Sequence, residues 1–193
     1  SLICKYIDSL KADPPLSPDN LVDQIHMAEW IKLFDERGFA ATGIINFVTK
    51  FRLTIPRDKL EERWKHIPVI DRLHRQQSVI GEGLDSLYVL RAIGAWETIF
   101  RRMEKALADG RPYLMGEQLT LAETNAVTFM KVIQMLRFLD FWLEPYPMTK
   151  AWWNRVSSRP SVQQLDKFAS NAVSEDSPHA KAGRETEAGF REK

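Results

Sequence analysis

The segment GEQLTLAE, residues 116–123, lies between two long helical patterns and marks the start of a helix. Thr120 is a residue type that caps helix N-termini, because its hydroxyl can accept a hydrogen bond from the backbone N–H of Glu123. The Glu123 carboxylate can reach back to the backbone N–H of Thr120, which completes a capping box. The spacing therefore predicts a helix that begins directly after Thr120. It assigns both residues a structural capping role, with no need for a catalytic hydroxyl–carboxylate pair.

Strong helical patterns flank this capping segment. Before it, apolar residues from Leu84 to Leu107 recur at three-and-four spacing, which predicts the strongest amphipathic helix of the chain. After it, the residues from Thr120 to Leu136 carry few charges, so we expect that helix to be the most buried, central element. No alternating strand pattern of useful length occurs, and the predicted fold class is all-α.

The N-terminal region divides into a helix, a linker and a second helix. Residues 1–10 keep apolar residues at helical spacing, and the Pro-rich residues 11–20 favour an extended, stiff linker. Asp19 or Asn20 then caps a long helix whose apolar pattern fades near Gly38.

The helical domain is expected to run over residues 21–168, with breaks at prolines such as Pro68. Beyond it, residues 169–193 contain just Val173 and Phe190 as large apolar residues. A segment with so few apolar side chains gains little from burial, so the tail is expected to be disordered.

Composition excludes several classes of function. The 193 residues carry a formal net charge of +1 with basic and acidic residues interleaved, so a nucleic-acid-binding face is not expected. Cys4 is the single cysteine, and its apolar neighbours favour an inert thiol. The four histidines show no ligand spacing, so no metal site is expected. No apolar run approaches the ~20 residues of a membrane helix, and a soluble, cytoplasmic protein is expected.

Four segments, in this order, resemble the glutathione transferase superfamily: Leu2 to Ile7, the linker followed by Ala28-x-Trp30, residues 116–123, and Ala151-Trp152-x-x-Arg155 with Arg159-Pro160-x-Val162. The first resembles the last helix of the family's thioredoxin-like domain, and the others resemble its C-terminal helical domain. The family usually has Asp where this chain has Glu123.

The resemblance implies an all-α, glutathione transferase C-terminal-like bundle with one helix of a thioredoxin-like domain, residues 1–10, at its N-terminus. It implies that the rest of the thioredoxin-like domain is missing from this chain. That domain supplies the residue that stabilises the glutathione thiolate and most of the contacts to glutathione, so no catalytic or glutathione-binding residue is expected here. The resemblance also implies an apolar, electrophilic small molecule as co-substrate and a homodimer when the protein is intact.

Two spacings resemble the bacterial beta-etherase branch, whose members use glutathione thiolate to cleave aryl ethers. They are Trp30-x-Lys32-x-x-Asp35-Glu36 and Lys65-x-Ile67-Pro68.

In this family the first long helix contributes one wall of the co-substrate pocket, so Trp30, Phe34, Arg37 and Phe39 are candidate pocket residues. The alternative is that Trp30 and Phe34 are core aromatics and Arg37 is a solvated charge. Basic clusters such as Arg72-Leu73-His74-Arg75 have acidic neighbours and are interpreted as solvated helix faces.

Three functions stay open from the sequence. The first is the substrate-side domain of a glutathione-dependent transferase, inactive as this fragment. The second is a non-catalytic glutathione transferase-like module for docking or dimerisation. The third is an unrelated helical bundle. A simple up-and-down packing of the helices would favour this third function.

Overall fold

The computed structural model of the chain describes residues 1–10, 13–168 and 176–193. A first helix, α1, spans Leu2–Ser9. The linker leads to α2, Leu21–Leu33, whose N-terminus is capped by Asn20, since the Asn20 side chain accepts a hydrogen bond from the Asp23 N–H at 2.9 Å.

The helical path that begins with α2 continues without a break for more than thirty residues. It passes through a π-helical turn at Phe34–Gly38, α3 at Phe39–Asn46, a second π-helical turn at Phe47–Phe51 and α4 at Arg52–Thr54. Ile55 is extended and ends the path. A π turn changes the spacing between residues on one face, which accounts for the fading of the apolar pattern near Gly38.

The other helices follow in chain order, and the described residues contain no strand. They are α5 (Arg57–Trp64), α6 (Ile70–Glu82), α7 (Leu87–Leu107), α8 (Leu121–Met135), α9 (Leu139–Trp142), α10 (Pro147–Ser157), α11 (Pro160–Gln163), α12 (Leu165–Phe168) and α13 (Pro178–Arg191). The all-α fold class is confirmed.

The start of α7 differs from its prediction by three residues. Leu84 belongs to a short 3₁₀ turn, and the Ser86 hydroxyl caps α7 by accepting a hydrogen bond from the Tyr88 N–H at 3.3 Å. Gly83 ends α6 with φ of +64°, a conformation that glycine adopts without steric cost.

The centre of the molecule is built from α7 and α8. Helix α7 packs against α3 and α10, and α8 packs against α2 and α3. Trp96 and Phe100 of α7, together with Trp152 of α10, have no exposed surface. Eight of the fifteen residues of α8 are buried, against eight of twenty-one in α7, so α8 is the most buried of the long helices, as the sequence predicts.

The tail contains a helix, although its composition predicts disorder. Residues 169–175 lie outside the described part of the chain, but α13 packs on the second π turn and on α4. The Phe190 ring lies 4.4 Å from that of Phe138, and Phe190 is 6% exposed. For residues 176–193 the prediction is therefore wrong.

Small side chains are the physical reason for this error. The buried residues of α13 are Ala180, Ala182, Gly183, Thr186 and Phe190. A Cβ atom on Gly183 would lie 1.8 Å from the carbonyl oxygen of Leu136, so the backbones approach closely at that point. The burial comes from close approach of the backbones and does not need many large apolar residues.

Candidate functional site

A cavity of about 420 Å³ lies between α3, its following π turn and the helices α5 and α6. Its apolar wall includes Phe39, Ile44, Phe47, Phe51 and Val79. The rings of Phe47 and Phe51 pack against each other at 5.2 Å. Mostly apolar pockets of roughly 300–1,000 Å³ are typical small-molecule sites, so this cavity is the candidate functional site.

The cavity lining also includes polar residues. Arg63 comes from α5, while Arg72, Arg75 and Gln76 come from α6. The Arg63 guanidinium lies 5.8 Å from the centre of the Phe51 ring, and the Arg75 Nε donates to the backbone oxygen of Asp71 at 3.3 Å. Arg72 is exposed and Arg75 is half-buried, so these residues line the cavity and also belong to a solvated helix face.

Two amide oxygens at the cavity are buried without a partner. The Asn46 Oδ1 of α3 and the Gln76 Oε1 of α6 have no hydrogen-bond partner among the described residues. Buried polar groups in folded proteins are nearly always hydrogen-bonded, so these two atoms mark positions where a donor is missing.

The four candidate pocket residues lie in different environments. Trp30 is 6% exposed and lies under the Arg102 guanidinium at 5.0 Å, and Phe34 is fully buried, with its ring stacked on Phe129 at 6.3 Å. Both occupy core positions, the alternative raised by the sequence. Arg37 is exposed and does not line the cavity. Phe39 alone of the four lines the cavity, and it is 69% exposed.

Helix α1 is tied to the main body next to this cavity. The Ser1 hydroxyl donates to Asp35 Oδ2 at 2.5 Å, and Asn125 of α8 donates to Asp35 Oδ1 at 3.1 Å. Asp35 lies four residues before Phe39, and residues at that spacing are neighbours on a helix surface. The contact with α1 and the cavity mouth are therefore close together.

Thr120 and Glu123 form the capping box of α8. Glu123 Oε2 accepts from the Thr120 N–H and from the Thr120 hydroxyl, both at 2.9 Å, and the hydroxyl accepts from the Ala122 N–H at 3.2 Å. Glu123 Oε1 also accepts from the Leu114 N–H at 2.6 Å, a bond that the capping pattern does not predict. Burial raises the pKa of the Glu123 carboxyl, and these three hydrogen bonds to it oppose that rise.

The Leu114 bond depends on a turn that precedes α8. Tyr113 and Gly116 pair through two backbone hydrogen bonds, each 3.1 Å long, and Gly116 has φ of +121°. Glu123 thus joins this turn to the start of α8, so the carboxylate fixes the loop as well as the helix.

Other chemistry is not assembled in the described part of the chain. No group of three or more His, Cys, Asp or Glu side chains there has the arrangement of a metal site. Cys4 is half-buried on α1. Among the described helices, none is both long enough and apolar enough to span a bilayer.

Part of the sequence matches a known domain family. Residues 83–160, from the 3₁₀ turn before α7 to the first residue of α11, match the family model of the glutathione S-transferase C-terminal domain. These residues belong to the glutathione S-transferase C-terminal domain family. The matched segment includes the capping box, while the cavity residues 39–79 precede it.

Two wheat proteins and one solved structure are similar to this chain. Glutathione S-transferase 1 and glutathione S-transferase 2 of Triticum aestivum are each 31% identical over 91 residues, or 47% of this chain. The chain spans about a third of their length, since the matches cover 35% and 28% of the two wheat proteins. The crystal structure of beta-etherase LigF from Sphingobium sp. strain SYK-6 superposes with a TM-score of 0.69 and 17% identity. The superposition covers 86% of this chain and 72% of LigF, a likeness in fold.

Proposed function

We propose that this chain is the helical, substrate-side part of a glutathione-dependent transferase that acts on an apolar electrophile. The reaction is either conjugation with glutathione or cleavage of an aryl ether. The observation that carries the proposal is an apolar cavity of about 420 Å³ in a chain that carries a glutathione S-transferase C-terminal domain. The resemblance in fold to a beta-etherase is why ether cleavage stands beside conjugation.

Bound glutathione supplies the thiolate nucleophile, held mainly by a thioredoxin-like domain of the intact protein. The residues of this chain hold the electrophile. Phe39, Phe47 and Phe51 offer an aromatic wall against which an apolar electrophile can pack. Since Phe39 lies beside the contact between α1 and Asp35, an electrophile in the cavity would face the side on which α1 packs.

The exposed apolar face of α1 supports a partner domain on that side. Helix α1 has no buried residue. The large apolar side chains of α1 and of Leu10, which follows it, are 58–80% exposed: Leu2, Ile3, Tyr6, Ile7 and Leu10. The start of α2 adds Leu21, Val22 and Ile25 to the exposed apolar surface. Such a surface is typical of one that another domain covers. We propose that α1 is the last helix of the thioredoxin-like domain, that residues 11–20 are the linker and that residues 21–168 form the substrate-side domain.

The test begins with the coding sequence upstream of Ser1, followed by titration of glutathione into the extended protein and into the present chain. We expect a thioredoxin-like domain in the extended protein, glutathione binding by that form alone, and no turnover by the present chain. An upstream sequence without such a domain, or no glutathione binding by the extended form, would refute the proposal.

A glycine pair tests whether the cavity holds the electrophile. Gly43 lines the cavity and Gly94 lies in α7, and at both positions a Cβ atom would have open space for 4 Å around it, apart from the backbone of its own helix. Gly43→Leu fills the cavity and should raise KM for the electrophile in the extended enzyme, whereas Gly94→Leu should not. Equal KM values for both variants and the parent would refute this placement.

A docking or dimerisation module is the second candidate, favoured by the same exposed apolar face on α1 and α2. It predicts that the extended protein forms a stable complex through this face while glutathione has no measurable affinity. For the transferase we propose a cytoplasmic homodimer, which size-exclusion chromatography with light scattering on the extended protein would test.

A further inference from the structure

The cavity carries an excess of positive charge that the protein does not neutralise. Arg63, Arg72 and Arg75 line it, and no described Asp or Glu does. None of the three forms an ion pair with a carboxylate in the described part of the chain. Four arginines elsewhere in the described part of the chain have carboxylate partners, namely Arg57, Arg102, Arg111 and Arg191.

Two of these ion pairs show the contrast with the cavity arginines. Arg57 pairs with Glu61 at 2.8 Å, and Arg111 pairs with Asp109 at 2.6 Å.

Arg63 and Arg72 are exposed and Arg75 is half-buried. Three like charges that line one cavity repel one another. An anion in the cavity would relieve this repulsion, and a planar carboxylate matches the forked donors of guanidinium.

The aromatic residues of the cavity indicate the rest of the ligand. The phenyl rings of Phe39, Phe47 and Phe51 fit an aromatic body, and Arg63 already lies against the Phe51 ring at 5.8 Å.

We propose that this cavity selects an aromatic carboxylate, with the carboxylate bound by Arg72, Arg75 and Arg63. This inference rests on the proposed function, because it names the substrate class of the same cavity: an anionic aromatic electrophile in place of a purely apolar one. Its test needs no glutathione.

The test compares two probes of the same shape, biphenyl-4-carboxylate and biphenyl-4-methanol, by isothermal titration calorimetry at low ionic strength. The present chain and the extended protein are both titrated. We expect the carboxylate to bind about tenfold or more tightly than the alcohol. The double variant Arg72→Gln/Arg75→Gln should reduce that preference to about twofold or less while keeping the affinity for the alcohol.

The matched control removes two positive charges from an exposed face of α7, with Arg101→Gln/Lys105→Gln, and should keep the preference. If the arginine variant does not fold, Gly43→Leu supplies the second test, because it fills the cavity from open space and should abolish binding of both probes.

Equal affinity for the two probes, no binding of either, or a preference that survives in the arginine variant would overturn the inference. These failures differ from failure of the proposed function. That function stands or falls on glutathione binding by the extended protein, which the probes do not report.

Discussion

Replacement of Glu123 by alanine should destabilise the protein more than any other change at the start of α8. The carboxylate accepts three hydrogen bonds, from the Leu114 N–H, the Thr120 N–H and the Thr120 hydroxyl, and Glu123 has no exposed surface. Alanine leaves the two backbone donors buried without a partner, at roughly 1–3 kcal/mol each.

Burial of the Glu123 carboxyl is unfavourable for its charged form, which is why it raises the pKa of this group. Glu123→Ala removes that cost, so part of the loss is offset. We therefore expect a net loss of about 3 kcal/mol in the free energy of unfolding. Thr120→Ala removes the hydroxyl cap but keeps the carboxylate bonded to both backbone donors, so it should cost about 1 kcal/mol. Glu117 is an exposed acid in the same loop, and Glu117→Ala should change stability by less than about 0.5 kcal/mol.

The assay is urea unfolding at neutral pH, followed by far-ultraviolet circular dichroism. In thermal unfolding the Glu123→Ala variant should melt roughly 6–12 °C below the parent, since 1 kcal/mol corresponds to about 2–4 °C in a chain of this size. A loss from Glu123→Ala no larger than that from Thr120→Ala would refute the reasoning, because it would mean that the bond to Leu114 contributes nothing.

Two carboxyl groups and one glycine give three more tests. Because the native pKa of Glu123 is raised above its usual value of 4.5, the native state holds this proton more tightly than the unfolded state. The stability of the parent relative to Glu123→Gln should therefore fall as pH rises above about 4.5, which urea unfolding across pH measures. Hydrogen bonds from Arg111 lower the pKa of Asp109 to about 2, and Arg111→Gln should return it toward 3.8 in a carboxyl NMR titration. Gly183→Ala should undock α13 and lower the free energy of unfolding by about 3 kcal/mol in urea. Gly94→Ala is the control: its Cβ atom lies in open space, so stability should stay the same or rise by up to about 1 kcal/mol. Equal effects of the two substitutions would contradict the close approach of the backbones at Gly183.

Local rules predicted the start of α8 because capping depends on residues three apart. The bond from Leu114 to Glu123 joins residues nine apart across a turn, and no short-range pattern shows it. The helix α13 escaped prediction for a related reason, since its burial depends on how closely Gly183 approaches another part of the backbone. Its start was nevertheless readable: Ser177 caps α13 by accepting from the Ala180 N–H, and Pro178 follows at the first helical position.

The candidate site was predicted less well than the fold. Trp30 and Phe34 are aromatic residues on the expected helix, but amphipathic spacing does not state which aromatic faces the core and which faces a cavity. Phe39 lines the cavity, and its role in binding a co-substrate stays a prediction. Arg72 and Arg75 were interpreted as a solvated helix face because acidic residues are near them in sequence, and they also line the cavity. In the fold those acids do not line the cavity, and charge balance along the chain differs from charge balance in space.

The two π-helical turns, Phe34–Gly38 and Phe47–Phe51, make the length of this region as important as its composition. One residue corresponds to about 100° of rotation around an ordinary helix, and a π turn absorbs one extra residue so that the helix beyond it keeps its orientation. Deleting a single residue in the first turn would restore ordinary helix geometry and leave Phe39 and Ile44 on the cavity side. A homologue that is one residue shorter there would keep every helix and this wall of the site. Alignments through residues 34–51 therefore need a gap placed by structure before any pocket residue is transferred.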